Sequence, residues 1–202
     1  MATTAEKLTT IAENQQKVYK AGQKDERVKT WEQLQEGGTR NYYSYAFAYS
    51  CWTDDIYHPI YDISSTALNY AYYISGITDT KVNIETEGNL VGLFQNSAIK
   101  TVRKLKVVAN TAFTQAFTNC SNLENIVFDG VIGTSLDLRW SKKLTADSLN
   151  SITTHLSDEA TGQRITLPTT AEANYNANPP EGAPDTWAKL VATKPNWTFA
   201  YA

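Results

Sequence analysis

Phe113-Thr114-Gln115-Ala116-Phe117-Thr118-Asn119-Cys120-Ser121-Asn122-Leu123 is one of three stretches that share a layout, and their recurrence sets the architecture. The other two are Leu68-x-x-Ala71-Tyr72-x-x-Ser75-x-Ile77 and Leu90-x-x-Leu93-Phe94-x-x-Ser97-x-Ile99. Tyr72 to Phe94 is 22 residues and Phe94 to Phe117 is 23, and Ser75, Ser97 and Cys120 repeat those two steps. Ala46-Phe47-x-x-Ser50, 25 residues before Ala71-Tyr72-x-x-Ser75, reads as a degenerate earlier copy. A unit this small cannot bury its apolar face alone, so it must stack on neighbours until a continuous core forms.

Each copy places a bulky apolar residue, then Ala or Leu followed by an aromatic, on what the spacing predicts as one turn of helix. A small residue makes the corner. Apolar residues then follow at strand-like spacing: Val82 and Ile84, then Val102, Leu105 and Val107, then Ile126 and Phe128. Helical-turn-plus-strand units of this length follow the leucine-rich-repeat plan. The expected fold is therefore α/β, a short leucine-rich-repeat solenoid with an N-terminal helix and non-repeat caps. Its two parts are 1–38, a helical attachment or oligomerisation segment, and 39–202, the solenoid with an aromatic N-terminal cap and a C-terminal helix and strand cap.

Composition advertises no special chemistry. The 202 residues suffice for one sizeable core, and a formal net charge of -3 gives no electrostatic reason to expect nucleic acid or an anionic membrane as partner. No apolar run is long enough to span a bilayer, and Met1-Ala2-Thr3-Thr4-Ala5-Glu6-Lys7 lacks the basic-then-apolar layout of a secretory leader. The expectation is that release from the cell, if it occurs, is by lysis and not through a Sec-type leader. Cys51 and Cys120 form no metal spacing; Cys120 takes the place of serine in the two preceding copies and reads as a small buried thiol. His58 and His155 are isolated, as turn or surface residues would be. No cofactor is implied.

Residues 5–22 read as an amphipathic helix with Leu8, Ile11, Gln15 and Val18 at the alternating 3-and-4 spacing of a coiled-coil seam, ended by Ala21-Gly22. A seam of about three turns is marginal alone and needs a partner. Two readings stand side by side: copies associate through it, or it folds back on the first repeat. Residues 24–38, with Val28, Trp31 and Leu34 at helical spacing before Gly37-Gly38, form a second helix or a connector.

Nine of the twelve tyrosines fall between Tyr42 and Tyr73, with Trp52 among them. Rings with polar tips give contact area at little entropic cost, so Tyr42, Tyr43, Tyr49, Trp52 and Tyr57 are candidate ligand-binding residues. The alternative is that they cap the open end of the stack, with Trp52-Thr53-Asp54-Asp55 and Pro59 closing that cap. At the far end Thr145 to Ser157 reads as a helix, with Thr145 as N-cap, Asp147 in the first turn, and Leu149, Ile152 and Leu156 on one face. Ser148 stands where a capping box would have Glu or Gln. A strand over 164–167 stopped by Pro168, a short helix with Trp187, Leu190 and Val191, and a last strand over 197–201 complete the cap.

No catalytic constellation is present in the sequence. There is no phosphate-cradling glycine loop and no nucleophile elbow, and the adjacent Asp54 and Asp55 diverge. A glycan-cleaving pair such as Asp54 and Glu85 is improbable on a short solenoid.

The repeats at 71–77, 93–99 and 116–123 resemble the BspA-type leucine-rich repeats of bacteria. Three blocks in order are similar to a family of prophage-encoded proteins of Gram-positive, often gut, bacteria: Thr3-Thr4-Ala5-Glu6-Lys7-Leu8 to Gly22; Tyr45-Ala46-Phe47 with Trp52-Thr53-Asp54-Asp55; and Leu144-Thr145 to Leu156-Ser157-Asp158 with Lys194-Pro195-Asn196-Trp197-Thr198. The opening block also resembles the N-termini of phage tail-associated proteins, which implies that the helix serves attachment. The resemblance implies a non-enzymatic virion or tail protein that presents a surface to host-envelope glycan or protein, or to other tail proteins. A purely structural connector and a polysaccharide depolymerase are its competitors.

Overall fold

The computed structural model describes residues 63–64, 68–80 and 83–202, all within one compact unit, Thr39–Ala202. Four parallel strands form one sheet in chain order: β1 (Ile63–Ser64), β2 (Asn83–Glu85), β3 (Thr101–Val107) and β4 (Asn125–Gly130). Three more, β5 (Leu136–Asp137), β6 (Gln163–Leu167) and β7 (Trp197–Tyr201), form a second parallel sheet. The chain is thus α/β, two parallel sheets with short helices.

Parallel neighbours need a return path at every crossover, and in the first sheet the repeated segments provide it. They are not the helical turns that the spacing predicts. Each holds two residues in left-handed backbone four apart: Tyr70 and Ile74 (φ 55 and 50), Gly92 and Asn96 (59 and 59), Gln115 and Asn119 (56 and 58). Left-handed residues cannot continue a right-handed helix. Each segment is instead three overlapping turns. The N–H groups of Ala71, Tyr73 and Ser75 donate to carbonyls three residues back, while those of Tyr70, Tyr72 and Ile74 donate outward to Val91, Leu93 and Gln95 of the next copy at 2.8, 2.8 and 3.0 Å. Gly92, Phe94 and Asn96 bond to Thr114, Ala116 and Thr118 in the same way. Alternate donors close the turn and lock the stack, so both copies satisfy their backbone donors and are held in register.

Inside the stack the Tyr72, Phe94 and Phe117 rings lie in a column with centroids 5.1 and 5.7 Å apart. All three rings are fully buried, as are Ile84, Leu105 and Ile126 from the strands and, nearly so, Phe128. Val102 and Leu105 are three residues apart and yet both face inward. The β3–β4 register shifts between them, Val102 facing Ile126 and Leu105 facing Phe128, and that bulge restores Leu105 to the core face.

The expected C-terminal helix is α1 (Ala146–Thr154), with Thr145 Oγ1 accepting from the Ser148 N–H at 3.3 Å. It lies beside β4, where another strand would otherwise pair. The Ile126 N–H donates to Ser148 Oγ and the Phe128 N–H to Ser151 Oγ, both at 2.9 Å, and Ser148 Oγ donates to Glu124 O at 3.0 Å. Two serine hydroxyls therefore replace the carbonyls of a missing strand and close a sheet edge. This is why Ser148, and not the Glu of a capping box, occupies that position.

The layer that contains α1 is a further repeat that the aromatic pattern conceals. Leu138-x-x-Ser141-x-x-Leu144 follows Phe117-x-x-Cys120-x-x-Leu123 at 21 residues, all six are fully buried, and Ser141 Oγ donates to Cys120 O at 3.2 Å. From this layer onward the roles are exchanged: strands β5 to β7 take the side of the turns, and helices take the side of the strands. After α1 come α2 (Ala171–Ala177) and α3 (Trp187–Ala192). Sequence patterning does not predict α2, whose one large apolar residue is the buried Tyr175. Trp187 packs against Tyr175 and Phe199 with centroids 5.6 and 6.0 Å away. Trp197 Nε1 donates to Ser157 O and Lys194 Nζ to Asp158 Oδ1, both at 2.8 Å, which pins the last strand to the end of α1. No helix among the described residues is long and apolar enough to cross a membrane.

Candidate functional site

The repeats sort their side chains by charge. Ten charged residues lie between positions 68 and 130, and none falls within 68–78, 88–99 or 107–123, the segments that carry the turns. On the strand side opposite signs meet across neighbouring strands: Arg103–Asp79 at 2.9 Å, Lys106–Glu85 at 2.6 Å and Lys104–Asp129 at 2.8 Å. The hydrogen bond from Lys104 holds the Asp129 carboxyl below the usual carboxylate range, and the bond to Glu85 raises Lys106. These charges are spent on one another. Glu85, half of the carboxylate pair considered for glycan cleavage, is among them; Asp54 lies outside the described residues.

The turn side presents uncharged hydrogen-bonding groups. Asn96, Thr114, Gln115 and Asn119 are exposed, and Asn119 Nδ2 donates to Asn96 Oδ1 at 2.7 Å, an amide step from one copy to the next. Tyr70 and Tyr73 meet edge to face at 5.6 Å on the same side. Asparagine tolerates left-handed backbone, which is one reason that Asn96 and Asn119 occur there.

Where this face meets the second sheet there is an open cleft of about 350 Å³ whose lining includes Phe113, Thr114, Gln115, Ser135, Asp137 and Arg164. β5 and β6 position its polar groups, because alternation along a strand sends Ile165 and Leu167 into the core and Arg164 outward. Ser135 Oγ accepts from the Arg164 N–H at 3.0 Å and donates to Gln163 Oε1 at 2.9 Å. Asp137 is closed by Arg139, whose Nε and Nη2 reach Oδ2 at 2.9 and 2.8 Å. That hydrogen bond raises the Arg139 guanidinium. The Arg164 guanidinium is exposed and joins no ion pair among the described residues. With Asp137 and Arg139 cancelling, the cleft carries one unopposed positive charge. Its lining offers hydroxyls, an amide, an ion pair and a guanidinium.

The sequence-derived candidates Tyr42, Tyr43, Tyr49, Trp52 and Tyr57, and the seam Leu8, Ile11, Gln15 and Val18, lie outside the described residues, as do Cys51 and His58. Cys120 is a free, fully buried thiol whose Sγ donates to Phe94 O at 3.0 Å. His155 caps the C-terminus of α1, with Nδ1 2.7 Å from Ser151 O. Arg164, Asp137 and Gln115 were not legible as a group, because their positions, 115, 137 and 164, belong to successive layers and meet only in the stack. A partial signal existed in the uncharged turn segments followed by charge at 137, 139 and 164. In comparisons with family models, curated proteins and solved structures, the chain matches none.

Proposed function

We propose that this chain is a non-enzymatic phage tail or virion protein, folded as a short BspA-like leucine-rich-repeat solenoid, that presents its turn face to host envelope or to another tail protein. The observation that carries the reading is the in-register stack of uncharged turn segments, with the charges of residues 68–130 on the opposite side. A stack of this kind offers an extended surface whose chemistry repeats from layer to layer, and here that surface is neutral and rich in amides and hydroxyls. The sequence resemblance of the opening, aromatic and closing blocks supplies the phage setting. In this reading residues 1–38 attach or oligomerise the chain through Leu8, Ile11, Gln15 and Val18. Several weak faces held together then gain avidity without new contacts.

The test is twofold. Antibody against the chain should label particles purified by density gradient from the producing bacterium, and the purified chain should sediment with host envelopes. Label without sedimentation favours the structural connector. Release of reducing ends from host polysaccharide would replace the reading with a depolymerase.

A further inference from the structure

We infer that the cleft between the third turn segment and strands β5 and β6 is a subsite for a carboxylate-bearing sugar, with Arg164 as its anchor. The inference rests on the reading of the chain as a binding module and names the ligand chemistry of that surface. A guanidinium offers five N–H donors in a planar fork that matches a carboxylate, and it binds best where no other anion competes. Arg103, Arg139 and Arg164 are the described arginines, and the first two are each closed by an aspartate. Only Arg164 is left with its fork available at the mouth of a cavity.

The rest of the lining selects among anions. Asp137 shares the cleft, and among the described residues its charge is balanced by Arg139 alone. A dianionic phosphate would face one free cation and a nearby carboxylate, whereas a singly charged carboxylate matches the single unopposed charge. Hydroxyl groups on the ligand suit what remains: Asp137 and Gln115 accept, and Gln115 and Thr114 donate. Phe113 lines the cleft but is only 4 % exposed, so it adds little apolar contact and polar groups dominate the site. A cleft of about 350 Å³ is at the small end of ligand sites and suits a ring-sized group. The neutral amide and hydroxyl face that leads away through Thr114, Gln115 and Asn119 suits uncharged neighbours in a polymer. The ligand class is therefore a polysaccharide with an occasional uronic acid.

The experiment is an amide-resolved NMR titration of the full chain with sodium D-glucuronate and, separately, D-glucose, on wild type, Arg164→Ala and Lys142→Ala. Lys142 is an exposed cation that joins no ion pair among the described residues and lies outside the cleft, so its loss controls for unspecific attraction. Glucuronate should shift the signals of Thr114, Gln115, Ser135 and Thr166 and bind about tenfold more tightly than glucose, a difference of roughly 1.4 kcal/mol. Arg164→Ala should erase that preference with the melting temperature unchanged, and Lys142→Ala should keep it. Equal responses to the two sugars, shifts centred elsewhere, or a preference that survives Arg164→Ala would overturn the subsite. Envelope sedimentation separates the two levels. Sedimentation that persists in a chain without glucuronate preference removes the subsite and leaves the binding module. Glucuronate preference in a chain that never sediments keeps the subsite and removes the host-envelope reading.

Discussion

Gly130 ends β4 at φ 83, and a Cβ added there would land on the carbonyl oxygen of Val107 in the neighbouring layer. Backbone oxygen cannot move aside as a side chain can, and the left-handed conformation adds its own cost. Gly130→Ala should therefore lower stability by about 2 kcal/mol or more, read as a shift in urea midpoint. A loss under about 0.5 kcal/mol would mean that the layers are less closely held than the geometry indicates. Cys120 carries a second prediction. Burial pushes its thiol up to about 12. A folded pKa above the unfolded value means that the native state holds its proton more tightly. The contribution is complete below the ordinary thiol pKa near 8.5 and declines by about 1.4 kcal/mol per pH unit above it, until the folded thiol itself ionises. Comparison of unfolding at pH 8 and pH 10.5 should show a smaller alkaline loss for Cys120→Ser than for wild type. Serine already fills this position at Ser75 and Ser97. The native thiol should also resist alkylation until the chain unfolds.

Among the elements, α1 decides how far the first sheet extends. A strand edge presents unpaired N–H groups that invite another chain, and here Ser148 and Ser151 receive those of Ile126 and Phe128. Ser148→Ala leaves the buried Ile126 N–H without an acceptor, a loss of about 1–3 kcal/mol. Ser151→Ala should cost less, since its bond is only part-buried. Native-state hydrogen exchange at the Ile126 amide should accelerate in the first variant; unchanged protection would show that α1 covers the edge by packing alone. The turn segments make the complementary point. Their donors alternate between closing a turn and binding the next copy, so a single helical hydrogen-bond pattern would have left the layers unconnected.

For the molecule as a whole, the partition of charge decides how it can meet partners. The strand side neutralises itself in ion pairs that salt screens and that contribute little to stability, and the turn segments 68–78, 88–99 and 107–123 carry no charge. Binding through the turn face should accordingly survive moderate salt, whereas the Arg164 subsite should weaken. Oligomeric state belongs to this scale too. Light scattering on the full chain and on a chain starting near Lys24 should give an oligomer and a folded monomer, respectively. Two monomers would show that Leu8, Ile11, Gln15 and Val18 dock elsewhere.

Much of the layout follows from local order. Repeated apolar residues one layer apart can be buried only by stacking, and this made the recurrence of Tyr72, Phe94 and Phe117, the strand positions Ile84, Leu105 and Phe128, and the C-terminal helix and strands legible in the chain. Periodicity alone did not distinguish a helical turn from three overlapping turns, because both place the same residues inward and only the bonds to the next layer choose between them. α2 was hidden because one buried tyrosine makes no pattern, and the extra repeat around Ser141 because Asp137-Leu138 replaces the small-aromatic pair. The cleft was beyond sequence for a different reason. Gln115, Asp137 and Arg164 are brought together by stacking and strand register, and whether a charge is paired or free is a property of its neighbours in space.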